Sequence, residues 1–205
     1  LLIRDGSNGG GAEVGVVTLT TDESLILYAA GYDADDNYIS AVDASWQVTG
    51  DLDAVPASGE SIEFTPSTAP TTGTITVSSA GLTGAVTGTV TVNVGVLDNV
   101  LVEDAAGGLG SAVDAVEITT DSTLTFYLVG YDQDNNYIRD INAHWSVQGS
   151  IGTVSTGTDF STSTDFIATT VGNGTVQADT SSFTDETGVI TVTGGALSYL
   201  LIRDG

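Results

Sequence analysis

Gly31-Tyr32-Asp33-Ala34-Asp35-Asp36-Asn37-Tyr38-Ile39 returns later in the chain as Gly130-Tyr131-Asp132-Gln133-Asp134-Asn135-Asn136-Tyr137-Ile138, an offset of 99 residues. The same spacing relates its surroundings. Thr20-Thr21-Asp22 matches Thr119-Thr120-Asp121, and Leu25, Tyr28, Trp46 and Gly50 match Leu124, Tyr127, Trp145 and Gly149. A short insertion near residue 160 and small deletions after it lengthen the offset by one, so Thr91-Val92 aligns with Thr191-Val192. The first six residues, Leu1-Leu2-Ile3-Arg4-Asp5-Gly6, recur unchanged as Leu200-Leu201-Ile202-Arg203-Asp204-Gly205. Self-similarity at a fixed period marks an array of structural units. The chain reads as one period of 199 residues made of two related modules, 1–97 and 98–197. Residues 198–205 then open a third module or act as a donor strand.

Around the repeated stretch, apolar and polar residues alternate with a period of two, the period of a half-buried strand. Leu25, Leu27 and Ala29 share one face, and the second module places Leu124, Phe126 and Leu128 there. Ile26, on the opposite face, is replaced by Thr125, so the face that stays apolar is the core face. Further strands are predicted over 1–5, 44–49 with Trp46 and Val48 inward, 61–65, 73–78 and 87–94, with a glycine-rich turn from Gly6 to Gly11. Helical periodicity is absent, and the 26 glycines with abundant Thr and Ser suit strands and turns. The expectation is an all-β chain of antiparallel sandwiches, each with seven or so strands and its Trp on the third or fourth.

Charge narrows the function classes. Asp and Glu number 27 against three arginines, for a net charge of −24, with no lysine and no cysteine. Such a chain repels phosphate backbones and anionic lipid, which argues against nucleic acid as a partner. Without cysteine there is no disulfide, thiolate nucleophile or cysteine-bound zinc. Without lysine there is no Schiff base and no Lys–Asn isopeptide crosslink. With 40% hydrophobic residues a core can still form. No apolar run is long enough to insert into a membrane, and the N-terminal residues themselves show no basic-then-apolar signal segment. The start at Leu1 rather than Met reads as a processed chain or a stretch of something longer.

The repeated loop, followed by Val42, Ala44, Trp46, Val48 and Gly50, resembles the central signature of bacterial immunoglobulin-like (BIg) domains. That signature is an apolar strand, an Asp-x-Asp-Gly/Asn-Asn loop, and a strand carrying Trp and ending near Gly. The second module repeats it with Asp132, Asp134, Asn136, Tyr137, Trp145 and Gly149. The resemblance covers both modules, most strongly in their first halves. It implies two tandem Ig-like β-sandwiches with Trp46 and Trp145 in their cores. It also implies the role such domains have in surface adhesins, surface-layer proteins and carbohydrate-active enzymes, where most serve as spacers. In that fold the acidic loop lies at the end where the chain enters the module.

Two chemistries fit the loops. Asp33, Asp35 and Asn37, like Asp132, Asp134 and Asn136, stand at alternate positions, where oxygen ligands can converge on a hard cation. Calcium bound there, with Asp98 completing the second site, would stiffen the joint between modules. An EF-hand is not formed, since no Gly occupies the sixth place and no Glu the twelfth. The alternative is that Asp and Asn satisfy turn geometry by capping local N–H groups. Tyr32, Tyr38, Tyr131 and Tyr137 flank the loops as a sugar platform or as aromatic packing at the sandwich rim.

Catalytic patterns are lacking. His144 has no second histidine or cysteine to share a metal, no Gly-x-Ser-x-Gly elbow occurs, and Gly9-Gly10-Gly11 reads as a flexible turn. Asn173-Gly174-Thr175 is a glycosylation sequon or an ordinary hairpin turn, and Thr153 to Thr164 is a polar strand face or an O-glycan carrier. The apolar segments Leu1-Leu2-Ile3 and Leu200-Leu201-Ile202 are candidate assembly strands. They bury themselves in a continuous array, or insert into a neighbour by strand exchange. The expected function is a structural repeat of an extracellular bacterial fibre or surface stalk whose partners are copies of itself. Its rivals are an adhesive module binding a host or matrix glycan or protein, and an accessory domain of a secreted carbohydrate-active enzyme.

Overall fold

A computed structural model of the protein describes residues 1–202; Arg203, Asp204 and Gly205, the end of the sequence-predicted opening strand, lie outside the described residues. The chain forms two compact units. The first comprises Leu1–Val96 together with Asp132–Asn136, and the second comprises Leu97–Tyr131 and the residues from Tyr137 onward. Each is an Ig-like β-sandwich, and the described residues contain no helix.

In the first unit the strand Leu25–Tyr32 anchors one sheet. It pairs antiparallel with Leu2–Arg4, with Ser61–Phe64 and, across a register shift at Gly31/Tyr32, with Tyr38–Ala41. The opposing layer is built from Ala44–Val48 paired to Ile75–Ser78, and from Val90–Asn93 paired to Thr71–Gly73 and Val17–Thr20. Alternate side chains from both layers fill one core: Ile3, Leu27, Ile62 and Phe64 from the first, Trp46, Ile75, Val77, Val90 and Val92 from the second. The Trp46 indole N–H donates to the Gly59 carbonyl at 2.9 Å, so the buried ring keeps no orphan donor.

The second unit repeats this plan. Thr123–Tyr131 pairs with Asn99–Glu103, Ser163–Ala168 and Tyr137–Asp140. Ala143–Gln148 pairs with Gly172–Asp179, which continues to Ile190–Thr193. Phe126, Leu128 and Phe166 meet Trp145, Val176, Ala178, Ile190 and Val192 in its core. The Trp145 N–H donates to the Ser161 carbonyl, again at 2.9 Å. Thr87 and Thr187 are buried, and each hydroxyl accepts a backbone N–H, from Ile75 and Val176 respectively, at 3.0 Å.

Several expectations need correction. The sandwiches are not wholly antiparallel: Val17–Thr20 runs parallel to Val90–Asn93, and Val116–Thr119 parallel to Ile190–Thr193. A parallel pair needs a long crossover, and here most of the unit supplies it. Among the described residues each unit has eleven short strands, not seven or so, and Trp46 lies on the fifth. Tyr38–Ala41 buries no side chain fully and Ser58–Gly59 has only two residues, so neither presents an alternating face to read. The 73–78 strand is broken at Thr74, whose N–H donates to the Thr49 hydroxyl at 3.1 Å. Its counterpart Gly172–Asp179 is continuous and contains the sequon, so Asn173-Gly174-Thr175 is not a hairpin turn. Glycine is needed there because a Cβ at Gly174 would stand 2.2 Å from the Gln148 carbonyl oxygen. Residues 198–202 form no strand. A strand exists only through a partner ladder, and neither unit pairs with this segment.

Candidate functional site: the acidic loops and the repeated opening strand

Both acidic loops close around their first aspartate. In the first, the N–H groups of Asp35 and Asn37 donate to Asp33 Oδ1 at 2.9 and 2.8 Å, and the Asn37 side-chain amide donates to both carboxylate oxygens. In the second, Asp134 and Asn136 donate to Asp132 Oδ1 at 3.1 and 2.8 Å, and the Asn136 amide reaches both oxygens. Asp36 and Asn135 take the left-handed conformation at the loop tips, with φ of 61° and 64°. Asp and Asn are the non-glycine residues that tolerate it best.

Outside these shared bonds the two loops differ. Asp33, Asp35 and Asn37 are exposed. Asp132 is fully buried, and its Oδ2 accepts the Thr21 hydroxyl at 2.8 Å and the Gly95 N–H at 3.0 Å, all within the first unit. Asn136 adds two contacts in that unit, accepting the Ala69 N–H at 3.0 Å and donating to the Ser67 carbonyl at 2.9 Å. Burial of Asp132 opposes its ionisation, yet the donors from Gly95, Asn136 and Thr21 outweigh it and bring its pKa down to about 2. Asp33 is also held below the usual carboxylate range, chiefly by the side chain and backbone N–H of Asn37.

The remaining sequence-predicted residues fall as follows. Asp134 is exposed, and so is Asp98, whose backbone N–H donates to the Tyr131 carbonyl at 2.9 Å. Among the described residues no three His, Cys, Asp or Glu side chains gather as metal ligands would. The flanking tyrosines pack edge to face, Tyr32 on Tyr38 with centroids 5.9 Å apart and Tyr131 on Tyr137 at 6.4 Å. Gly9 and Gly108 lie so close to Tyr38 and Tyr137 that a Cβ would stand 2.5 and 2.8 Å from the rings. His144 is half-buried, with its ring 6.2 Å from that of Phe160.

The opening strand shows the sharpest contrast. Ile3 pairs with Ala29, its equivalent Val102 pairs with Leu128, and each is 1% exposed. Ile202, the third equivalent, is 102% exposed, and Leu200 is 83% exposed where Val100 is 6%.

Three features escaped the sequence reading. Asp22 and Asp121 each cap the segment leaving their unit, accepting the N–H of Val96 at 2.7 Å and of Ala196 at 2.8 Å. The repeated Thr-Thr-Asp triplet was the available signal. The third is the exchange of Arg4 for Glu103 at one strand position. Arg4 donates to the carbonyls of Gly9, Gly10 and Gly11 and lies 5.8 Å from the centre of the Tyr32 ring. Glu103 is buried, accepts the Tyr131 hydroxyl on Oε1, and leaves Oε2 without a partner.

No protein-family model matches the chain, and no curated protein matches it. Several solved structures are similar to the chain over most of its length. Domains 4 and 5 of the S-layer protein SbsC are similar at 16% identity, covering 94% of this chain and 98% of that one, with a TM-score of 0.34. The D00-D0 domain of intimin is similar at 9% identity, covering 94% and 98%, with a TM-score of 0.44. The Yersinia pseudotuberculosis adhesin InvE is similar at 13% identity, covering 86% and 56%, with a TM-score of 0.32.

Proposed function

We propose that the chain is the structural repeat unit of an extracellular bacterial fibre or surface stalk built from tandem Ig-like modules. The observation that carries this reading is the threefold equivalence of Ile3, Val102 and Ile202. The first two are buried strand residues and the third, in an identical hexapeptide, is exposed. In a following copy, Leu201 and Ile202 take the places of Leu2 and Ile3 and pair with the equivalents of Ala30 and Ala29. Burying such side chains is worth roughly 1.5–3 kcal/mol each, so the segment is a strong driver of continuation. The role is architectural: cores hold each module, and the surplus of carboxylates keeps a long polymer soluble and self-repelling.

The test is a polypeptide of two periods, in which Tyr199 is followed by a second complete copy. Amide hydrogen exchange at Leu201 and Ile202 should slow to the rate seen at Leu2 and Ile3. Exchange as fast as in the single chain overturns the proposal. Electron microscopy of native material should show a bead repeat of two modules per period.

A further inference from the structure

The geometry points to a docking pair between successive copies: the Asp33–Asn37 loop of one copy seats on the Thr120 and Gly195 end of the copy before it. The inference rests on the tandem reading above and supplies its joint. Its template lies in the first unit, where the Asp132–Asn136 loop is seated. Thr21 and Gly95 both direct their donors at Asp132 Oδ2, and the carboxylate is shut away from solvent. Thr120 and Gly195 are the repeat equivalents of those two residues.

Both halves of the pair are preformed. On the receiving side, the Asp121 cap on Ala196 reproduces the Asp22 cap on Val96. At both neighbouring positions the bare glycine lets the capping carboxylate close in: a Cβ at Gly95 would stand 2.7 Å from Asp22 Oδ1 and one at Gly195 2.2 Å from Asp121 Oδ2. What differs is the acceptor. The Gly195 N–H turns onto the Thr120 hydroxyl at 3.0 Å, whereas in the first unit hydroxyl and N–H share a carboxylate. On the incoming side, the Asp33 loop has the internal bonds of the Asp132 loop, with Asp33 exposed. The strand that would connect the copies leads to the same place. Asn99 pairs with Tyr131, the residue before Asp132, and Tyr199 is its equivalent, so it would pair with Tyr32, the residue before Asp33. A second copy of this chain therefore offers the one carboxylate loop whose sequence and internal geometry already match the seat.

The two-period polypeptide tests this at the Gly195 amide. Replacing the neutral Thr120 hydroxyl acceptor by a carboxylate should slow Gly195 exchange about tenfold relative to the single chain, the effect of one net charged hydrogen bond. Asp33→Ala in the second copy should abolish that gain while Leu201 and Ile202 stay protected. Thr120→Val in the first copy, which leaves the loop untouched, should weaken the gain from the opposite side. Asp132→Ala should speed Gly95 exchange in the same molecule, and failure to do so removes the template. Protection of Leu201 and Ile202 with Gly195 exchange indifferent to Asp33→Ala overturns the docking pair and leaves the tandem array standing. Absence of protection at Leu201 and Ile202 overturns the array itself.

Discussion

Two aspartates with nearly the same neighbours in sequence, Asp33 and Asp132, have different weights at the residue scale. Asp132→Ala strands the Thr21 hydroxyl and the Gly95 N–H in a buried place, so it should cost about 3 kcal/mol in denaturant unfolding. Asp33→Ala, at an exposed loop, should cost clearly less. The pH dependence follows with its sign. A carboxyl at about 2 in the folded protein and 3.8 unfolded contributes stability that is present above pH 3.8 and lost as pH falls through 2. Asp132→Asn should flatten that acid limb in melting-temperature scans. Tyr131 has the opposite sense. Burial, then the hydrogen bond and charge of Glu103, raise its pKa, so its contribution is intact below the ordinary tyrosine range and lost as pH climbs above it. Tyr131→Phe should remove that alkaline loss. Of these facts the aspartate's role as a turn former was legible from Asp-x-Asp-x-Asn. Its burial at one copy alone was not, because the two loops read almost identically.

At the scale of elements, the repeated bonds say which strands hold the sandwiches. Thr187→Val keeps the shape of a buried side chain but deprives the Val176 N–H of its acceptor, so it should cost about 1–3 kcal/mol by equilibrium unfolding. Thr87→Val should do the same in the first unit. The long strands around Leu27 and Phe126 were readable because four or more alternating positions separate a core face from a solvent face. Two-residue strands such as Ser58–Gly59 carry no such pattern, and their existence follows from the strand beside them. The parallel pairings were likewise illegible, since alternation records which face is buried but not which way a neighbour runs.

For the whole molecule, a net charge of −24 sets the response to ions. Adding monovalent salt should raise the melting temperature by screening self-repulsion. Calcium is the sharper probe, because the oxygens of Asp33 and Asp132 already accept N–H and O–H donors. Their hydrogen-bonded turns predict the same melting temperature in calcium as in magnesium at equal ionic strength. A rise specific to calcium, abolished by chelator and blunted by Asp132→Asn, would instead mark the loops as an ion site.

The strong acidity, the absence of cysteine and lysine, the two-module period and the alternating strands were determined by the sequence alone. Composition and periodicity act locally and need no knowledge of partners. Only the tertiary structure decided that Asp132 is buried while Asp33 is exposed, and that Ile3 is buried while Ile202 is exposed. The reason is physical. Burial and hydrogen bonding belong to pairs of groups, and identical segments differ when one has its partner strand or donor beside it and the other does not.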